Sequence, residues 1–132
     1  MRKLPILLFL LLLPSFIFSQ NAVRDNVSNL LKQGNSTELS NYFISNIDLT
    51  LLDVDDVYSK QQAEVIIRQF FENVKPTAFN IKHEGKSKLD DYYYIGKLNT
   101  AKGVYRVTFL LKNENDKFLI KKLRIEQSED DF

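Results

Sequence analysis

"SKQQAEVIIRQFFENV", residues 59–74, is the stretch whose reading decides the fold. Ala63, Ile66, Ile67, Phe70, Phe71 and Val74 recur at helical spacing and form one apolar stripe. Ser59 stands at the cap position with Gln62 three residues on, the pattern of a capping box, and Pro76 ends the segment. Each of the five larger members contributes roughly 1.5–3 kcal/mol if fully buried, a gross gain set against chain entropy. No other segment brings comparable apolar mass to one side, so this helix is expected to plug the core.

Everything after Pro76 reads as strand. "AFNIKHEGKS" (78–87), "DYYYIGKLNTA" (91–101), "GVYRVTFLLKN" (103–113) and "KFLIKKLRIEQ" (117–127) are separated by the turn signals "KLDD", "AKG" and "NENDK". Before the long helix, Val23, Val27, Leu30 and Leu31 mark a first helix that Gly34 stops. Asn35 caps a short second one, with Glu38 at its box position and Leu39, Tyr42 and Phe43 on its apolar side. In "NIDLTLLD" (46–53) the period changes to two, with Ile47, Leu49 and Leu51 facing one way. "DVDDVY" (53–58) reads as a turn. The order α-α-β-α-β-β-β-β predicts an α+β domain: a cone-shaped, strongly curved antiparallel sheet wrapped around the long helix.

The chain starts "MRKLPILLFLLLLPSFIFSQ", a basic pair, an apolar run from Leu4 to Phe18 and then Ser19. That order predicts a secretory signal peptide over residues 1–19, cleaved between Ser19 and Gln20. Fifteen helical residues reach only about 22 Å, short of the ~30 Å hydrocarbon core, so no stable membrane insertion is expected after cleavage. Residues 20–132 then form a single domain of 113 residues, exported and soluble in a periplasm or outside the cell.

Composition narrows the chemistry. The chain has no cysteine and one histidine, which sets aside thiol nucleophiles, disulfides and the common zinc arrangements. "DVDD" lacks the glycine and terminal glutamate of a calcium loop, and no cofactor is implied. Beyond position 19 there are 16 basic and 17 acidic residues, a formal charge of −1 and nothing like the excess of a nucleic-acid binder.

The side chains left to consider are few. His83 in "FNIKHEG" falls two residues after Ile81 and four after Phe79, so strict alternation aims its ring along that apolar row. It reads either as a structural histidine, as a ligand group at the mouth of the cone, or as a general acid–base, which would need a partner to set its tautomer. Tyr92 and Tyr94 project from one face and Tyr93 from the other; cross-strand aromatic packing and hydroxyls that orient a ligand are the two readings. Arg106 shares a face with Val104 and Thr108, either toward solvent or as an anion anchor, and Lys122 and Arg124 join it if the hairpin register permits. Phe71, on the long helix, completes the ligand-binding candidates.

"GNSTELSNYF", "YSKQQAEVIIRQFF", "FNIKHEG", "YYYIGKLNT", "GVYRV" and "LRIE" lie in one order from Gly34 to Glu126. Together they resemble a family of small exported proteins known as domain of unknown function 4783, within the nuclear-transport-factor-2-like, or cystatin-like, cone superfamily. The resemblance implies the cone fold and brings no reaction. That superfamily includes isomerases, dehydratases, transport adaptors and dimerisation modules, so fold leaves function open. The expectation is a small exported binding or interaction module. Its partner is a small apolar or anionic molecule, or another protein, with a homodimer as one form. The alternatives are a cofactor-free acid–base enzyme using His83 in the cone cavity, and a purely structural dimerisation module. A core filled with phenylalanine and leucine favours the last of these.

Overall fold

Ser59 opens the long helix as its sequence predicts: its hydroxyl accepts from the Gln62 amide while the Gln62 side chain accepts from the Ser59 amide. A computed structural model describes residues 19–128 of the chain; the signal-peptide reading rests almost wholly on residues outside that range. The elements are α1 (Gln20–Gln33), α2 (Ser36–Ser40), β1 (Phe43–Leu51), β2 (Val54–Ser59), α3 (Lys60–Val74), β3 (Pro76–Lys86), β4 (Tyr92–Thr100), β5 (Gly103–Glu114) and β6 (Lys117–Gln127). No helix among the described residues is long and apolar enough to cross a membrane.

The strands form one curved, unclosed sheet in the order β2-β1-β6-β5-β4-β3, antiparallel except where β1 runs parallel to β6. The α+β cone predicted from the sequence is therefore the fold, with one addition. "DVDDVY" is not a turn: β2 pairs antiparallel with β1, and the reversal occurs at Leu52–Asp53, where Leu52 has φ 53°. Aspartate is depleted in strands, so the segment carries little propensity signal, and pairing with β1 overrides it. The second helix is also shorter than expected, because Phe43 is already the first residue of β1.

α3 lies over one face of this sheet. Ala63 and Ile67 are fully buried, and the Phe70 ring meets Tyr105 of β5 edge to face at 5.0 Å. The helix ends at Lys75 in the left-handed region, and the Ala101 amide in the β4–β5 turn donates to the Val74 carbonyl. Glu64 joins α3 to α2 by accepting from the hydroxyls of Ser36 and Thr37. α1 packs along β3 and ends at Gly34, whose φ of 66° suits glycine.

Register divides the sheet's residues cleanly. On the helix side run the rows Lys86–Tyr92–Leu111–Ile120–Phe43, Glu84–Tyr94–Phe109–Leu123–Leu49 and Ile81–Gly96–Val107–Ile125–Leu51. Apart from the β3 residues, every side chain in these rows is buried or nearly so, and with α1 and α3 they make one continuous core. Gly96 is the narrow point: a Cβ there would collide with the Phe79 ring and stand 2.8 Å from the Asn80 carbonyl. The space beneath the helices is filled by Phe79, Leu98, Phe109, Leu123 and their neighbours.

Candidate functional site

Two surfaces remain outside that core, and a bulge on β3 decides which residues belong to each. Ile81 pairs with Gly96, but His83 pairs with Ile95, so the extra residue in β3 is Lys82. The alternation predicted for Phe79, Ile81 and His83 therefore breaks. Phe79 and Ile81 face the core; His83 is exposed on the other face, beside Ile95. Glu84 takes the inward position instead, opposite Tyr94. Among the described residues the His83 ring has no hydrogen-bond or ion-pair partner. The cone-cavity role read for it from alternation is thus corrected: this histidine stands on the outer face.

The outer face can be read strand by strand from the register. One row runs Asp55–Thr50–Arg124–Thr108–Ile95–His83, a second Val57–Asp48–Lys122–Leu110–Tyr93–Gly85, and a third Glu126–Arg106–Lys97–Asn80. Arg106, Lys122 and Arg124 do share a face, as the sequence allowed, but it faces away from the helices. There Arg106 is exposed, Lys122 Nζ is 3.8 Å from Asp48, and Arg124 pairs with Glu126. Asp55 and Asp48 stand on β2 and β1 and Arg106 and Lys97 on β5 and β4, while β6 between them carries Lys122, Arg124 and Glu126. Ile95, Thr108 and Leu110 are half-buried, and Val57 beside β1 is 60% exposed. Asp91 is buried near this face, held by the Lys121 ammonium. Lys121 is the extra residue of a second bulge, since Leu110 pairs with Lys122 and Leu111 with Ile120.

The second surface is a cleft of about 290 Å³ between the start of α1 and the β3–β4 hairpin, lined by Gln20, Asn21, Glu84, Lys86, Tyr92 and Tyr94 among others. Tyr92 and Tyr94 both face it, as alternation predicts. Tyr94 stacks on Phe109 at 5.0 Å and Tyr92 meets Phe118 edge-on at 5.9 Å. Arg24 of α1 reaches the cleft through Glu84: its Nε donates to Asp25 Oδ1 at 2.9 Å and its Nη1 to Glu84 Oε2 at 3.2 Å. The bond to Asp25 holds the guanidinium above its ordinary pKa, with Glu84 adding to it. Burial pushes the Tyr94 phenol up; Arg24 pulls against this, while Glu84, Tyr92 and Asp25 reinforce it. Phe71 belongs to neither surface. It is buried in the core against Phe70, with no face toward the cleft.

The sequence therefore finds two of the cleft's residues, Tyr92 and Tyr94, and misses Arg24 and Glu84. Sixty positions separate that pair. The only local signal was the helical period that puts Arg24 one residue past Val23, and it does not name a partner across the fold.

With this geometry established, three comparisons place the chain among known proteins. Residues 24–126 match the family model of domain of unknown function 4783. A crystal structure of a member from Bacteroides fragilis YCH46 is 33% identical, with a TM-score of 0.73 over 77% of this chain and 95% of that one. Another, from Bacteroides uniformis ATCC 8492, is 32% identical, with a TM-score of 0.76 over 82% of this chain and 99% of that one. A designed nuclear-transport-factor-2-type protein is 12% identical with a TM-score of 0.63, over 80% of this chain and 94% of its own; it supports the fold alone. No curated protein matches the chain. A family model spanning almost all of the described body, together with solved relatives at about a third identity, leads to one conclusion: the chain belongs to the domain of unknown function 4783 family and has a nuclear-transport-factor-2-like fold.

Proposed function

We propose that this protein is an exported interaction module that associates through the outer face of its sheet, with a second copy of itself as the partner. The observation that carries this reading is the division of charge across that face, with Asp55 and Asp48 at one side and Arg106 and Lys97 at the other. Half-buried Leu110 and Ile95 lie on the same strands as the two cations. Two copies related by a two-fold axis along the strands would set each acidic side against the other's basic side, an isologous contact. The filled core supports a binding role over a reaction chamber, because the space that a substrate would need beneath the helices is taken by Phe109, Leu98 and Phe79. The exposed position of His83, with no orienting partner among the described residues, also supports a binding role over acid–base work. Export rests on the basic and apolar run that precedes Ser19.

Sedimentation equilibrium of the purified protein tests the reading. A dimer is expected, and Lys97→Glu with Arg106→Glu should shift it to monomer. Asp48→Lys with Asp55→Lys should do the same. Mixing the two charge-reversed proteins should restore a mixed dimer, because opposite signs again face each other. A monomer at every concentration, or a dimer indifferent to both double reversals, would overturn it.

A further inference from the structure

The cleft at the start of α1 lies on the other side of the sheet from the proposed self-association face, and its chemistry is separate. Tyr94 is 2% exposed, yet among the described residues its hydroxyl has no hydrogen-bond partner. The ring is buried, but the hydroxyl is not one of the sealed, unpaired polar atoms and opens at the cleft. Its ring is held by Phe109, so the hydroxyl is fixed where it opens on the cleft. Beside it, Glu84 Oε2 accepts from Arg24 on a half-exposed side chain, and no bond engages Oε1 among the described residues. The side-chain amides of Gln20 and Asn21 supply both donors and acceptors from the facing helix. Tyr92 supplies a half-buried aromatic ring, with the Lys86 ammonium 5.6 Å from its centroid.

Charge decides the class of ligand. Arg24 is paired with Glu84 and Asp25, and Lys86 with Asp90, so each cation at the cleft is already matched by a carboxylate and a charged ligand would have to displace an existing pair. A neutral molecule rich in hydroxyls satisfies all these groups at once. Its hydroxyls donate to a carboxylate oxygen and accept from amides and a phenol, while an apolar C–H face lies on an aromatic ring. The geometry points to a saccharide-binding site at this cleft, with Tyr94 and Glu84 reading adjacent hydroxyls and Tyr92 supporting the ring. A volume of about 290 Å³ is at the lower limit of ligand pockets and suits one sugar unit at a time. The occupant is then a free monosaccharide or a single residue of a longer glycan.

Backbone-amide NMR of the full folded domain tests this. Glucose, galactose, N-acetylglucosamine and a trimer of N-acetylglucosamine are titrated, with phosphate and tetramethylammonium as charged controls. At least one saccharide should move the amides of Glu84–Lys86 and Tyr92–Tyr94. Tyr94→Phe keeps the stacked ring and should abolish the response; Glu84→Gln should weaken it about tenfold, the loss of one good hydrogen bond. Binding by the trimer alone assigns a glycan chain, and equal binding by the monomer assigns a free sugar. No movement with any of the four sugars overturns the proposal. So does a response of these amides to phosphate or tetramethylammonium instead, or a saccharide response that survives Tyr94→Phe. None of these outcomes depends on whether the protein dimerises.

Discussion

The two faces of this sheet are made from the same strands, one residue apart, and they obey different rules. The helix-side rows stay apolar across four strands, from Leu49 through Leu123 and Phe109 to Tyr94, and turn polar only at β3 with Glu84 and Lys86. The outer rows mix signs and sizes, and almost nothing on them is fully buried. One face carries the stability; the other stands largely open to solvent. The lesson is that a single extra residue, Lys82, can transfer a side chain from the first regime to the second.

The largest contrast should come from neighbours on opposite faces. Phe109→Ala removes a fully buried ring stacked on Tyr94, and should cost about 3–5 kcal/mol in denaturant unfolding. Leu110→Ala, next in sequence and on the outer face, should cost less than about 1 kcal/mol in the monomer. Comparable losses at both positions would erase the distinction between the faces. Gly96→Ala comes next: the new methyl meets the Phe79 ring and the Asn80 carbonyl, for roughly 1–3 kcal/mol of overpacking. An unchanged unfolding midpoint would mean that the Phe79 ring moves aside freely.

Asp91→Ala sharpens the comparison from the other side, because it is the buried charge near an otherwise wet face. Losing it strands the Lys121 ammonium, which keeps some exposure, so roughly 1–3 kcal/mol is expected. No loss would show that Lys121 simply turns to solvent. Tyr94 offers a pH test. Its folded pKa is raised by burial, so its contribution is fully present below the ordinary tyrosine value of about 10 and is lost as pH climbs through the raised value. Stability of the wild type should therefore fall more steeply above pH ~10 than that of Tyr94→Phe. Parallel alkaline curves would count against a buried phenol. The smallest effect belongs to His83→Ala, within about 0.5 kcal/mol, since the ring is exposed and has no partner among the described residues.

How much of this was legible beforehand follows from where the information resides. Periodicity and capping are local, so α3, its Ser59–Gln62 box, the Gly34 stop and the last four strands could be read from the sequence almost to the residue. β2 could not, because its two acidic, exposed positions, Asp55 and Asp56, are strand only by virtue of β1 beside them. The candidate site split the same way. Tyr92 and Tyr94 keep strict alternation and appear where expected, whereas His83 and Glu84 exchange faces at a bulge that no residue type announces. The Arg24–Glu84 contact needs the docking of α1 on β3, which is tertiary information throughout.

The ends of the sheet also bear on how this molecule behaves in company. β2 is a short border strand carrying two exposed aspartates, Asp55 and Asp56, and β3 opens with a proline, carries register breaks after Pro76 and Ile81, and has α1 packed along it. Neither border can template a further strand at low cost. Crowded copies of the protein should accordingly form closed, countable assemblies and resist open-ended fibre growth.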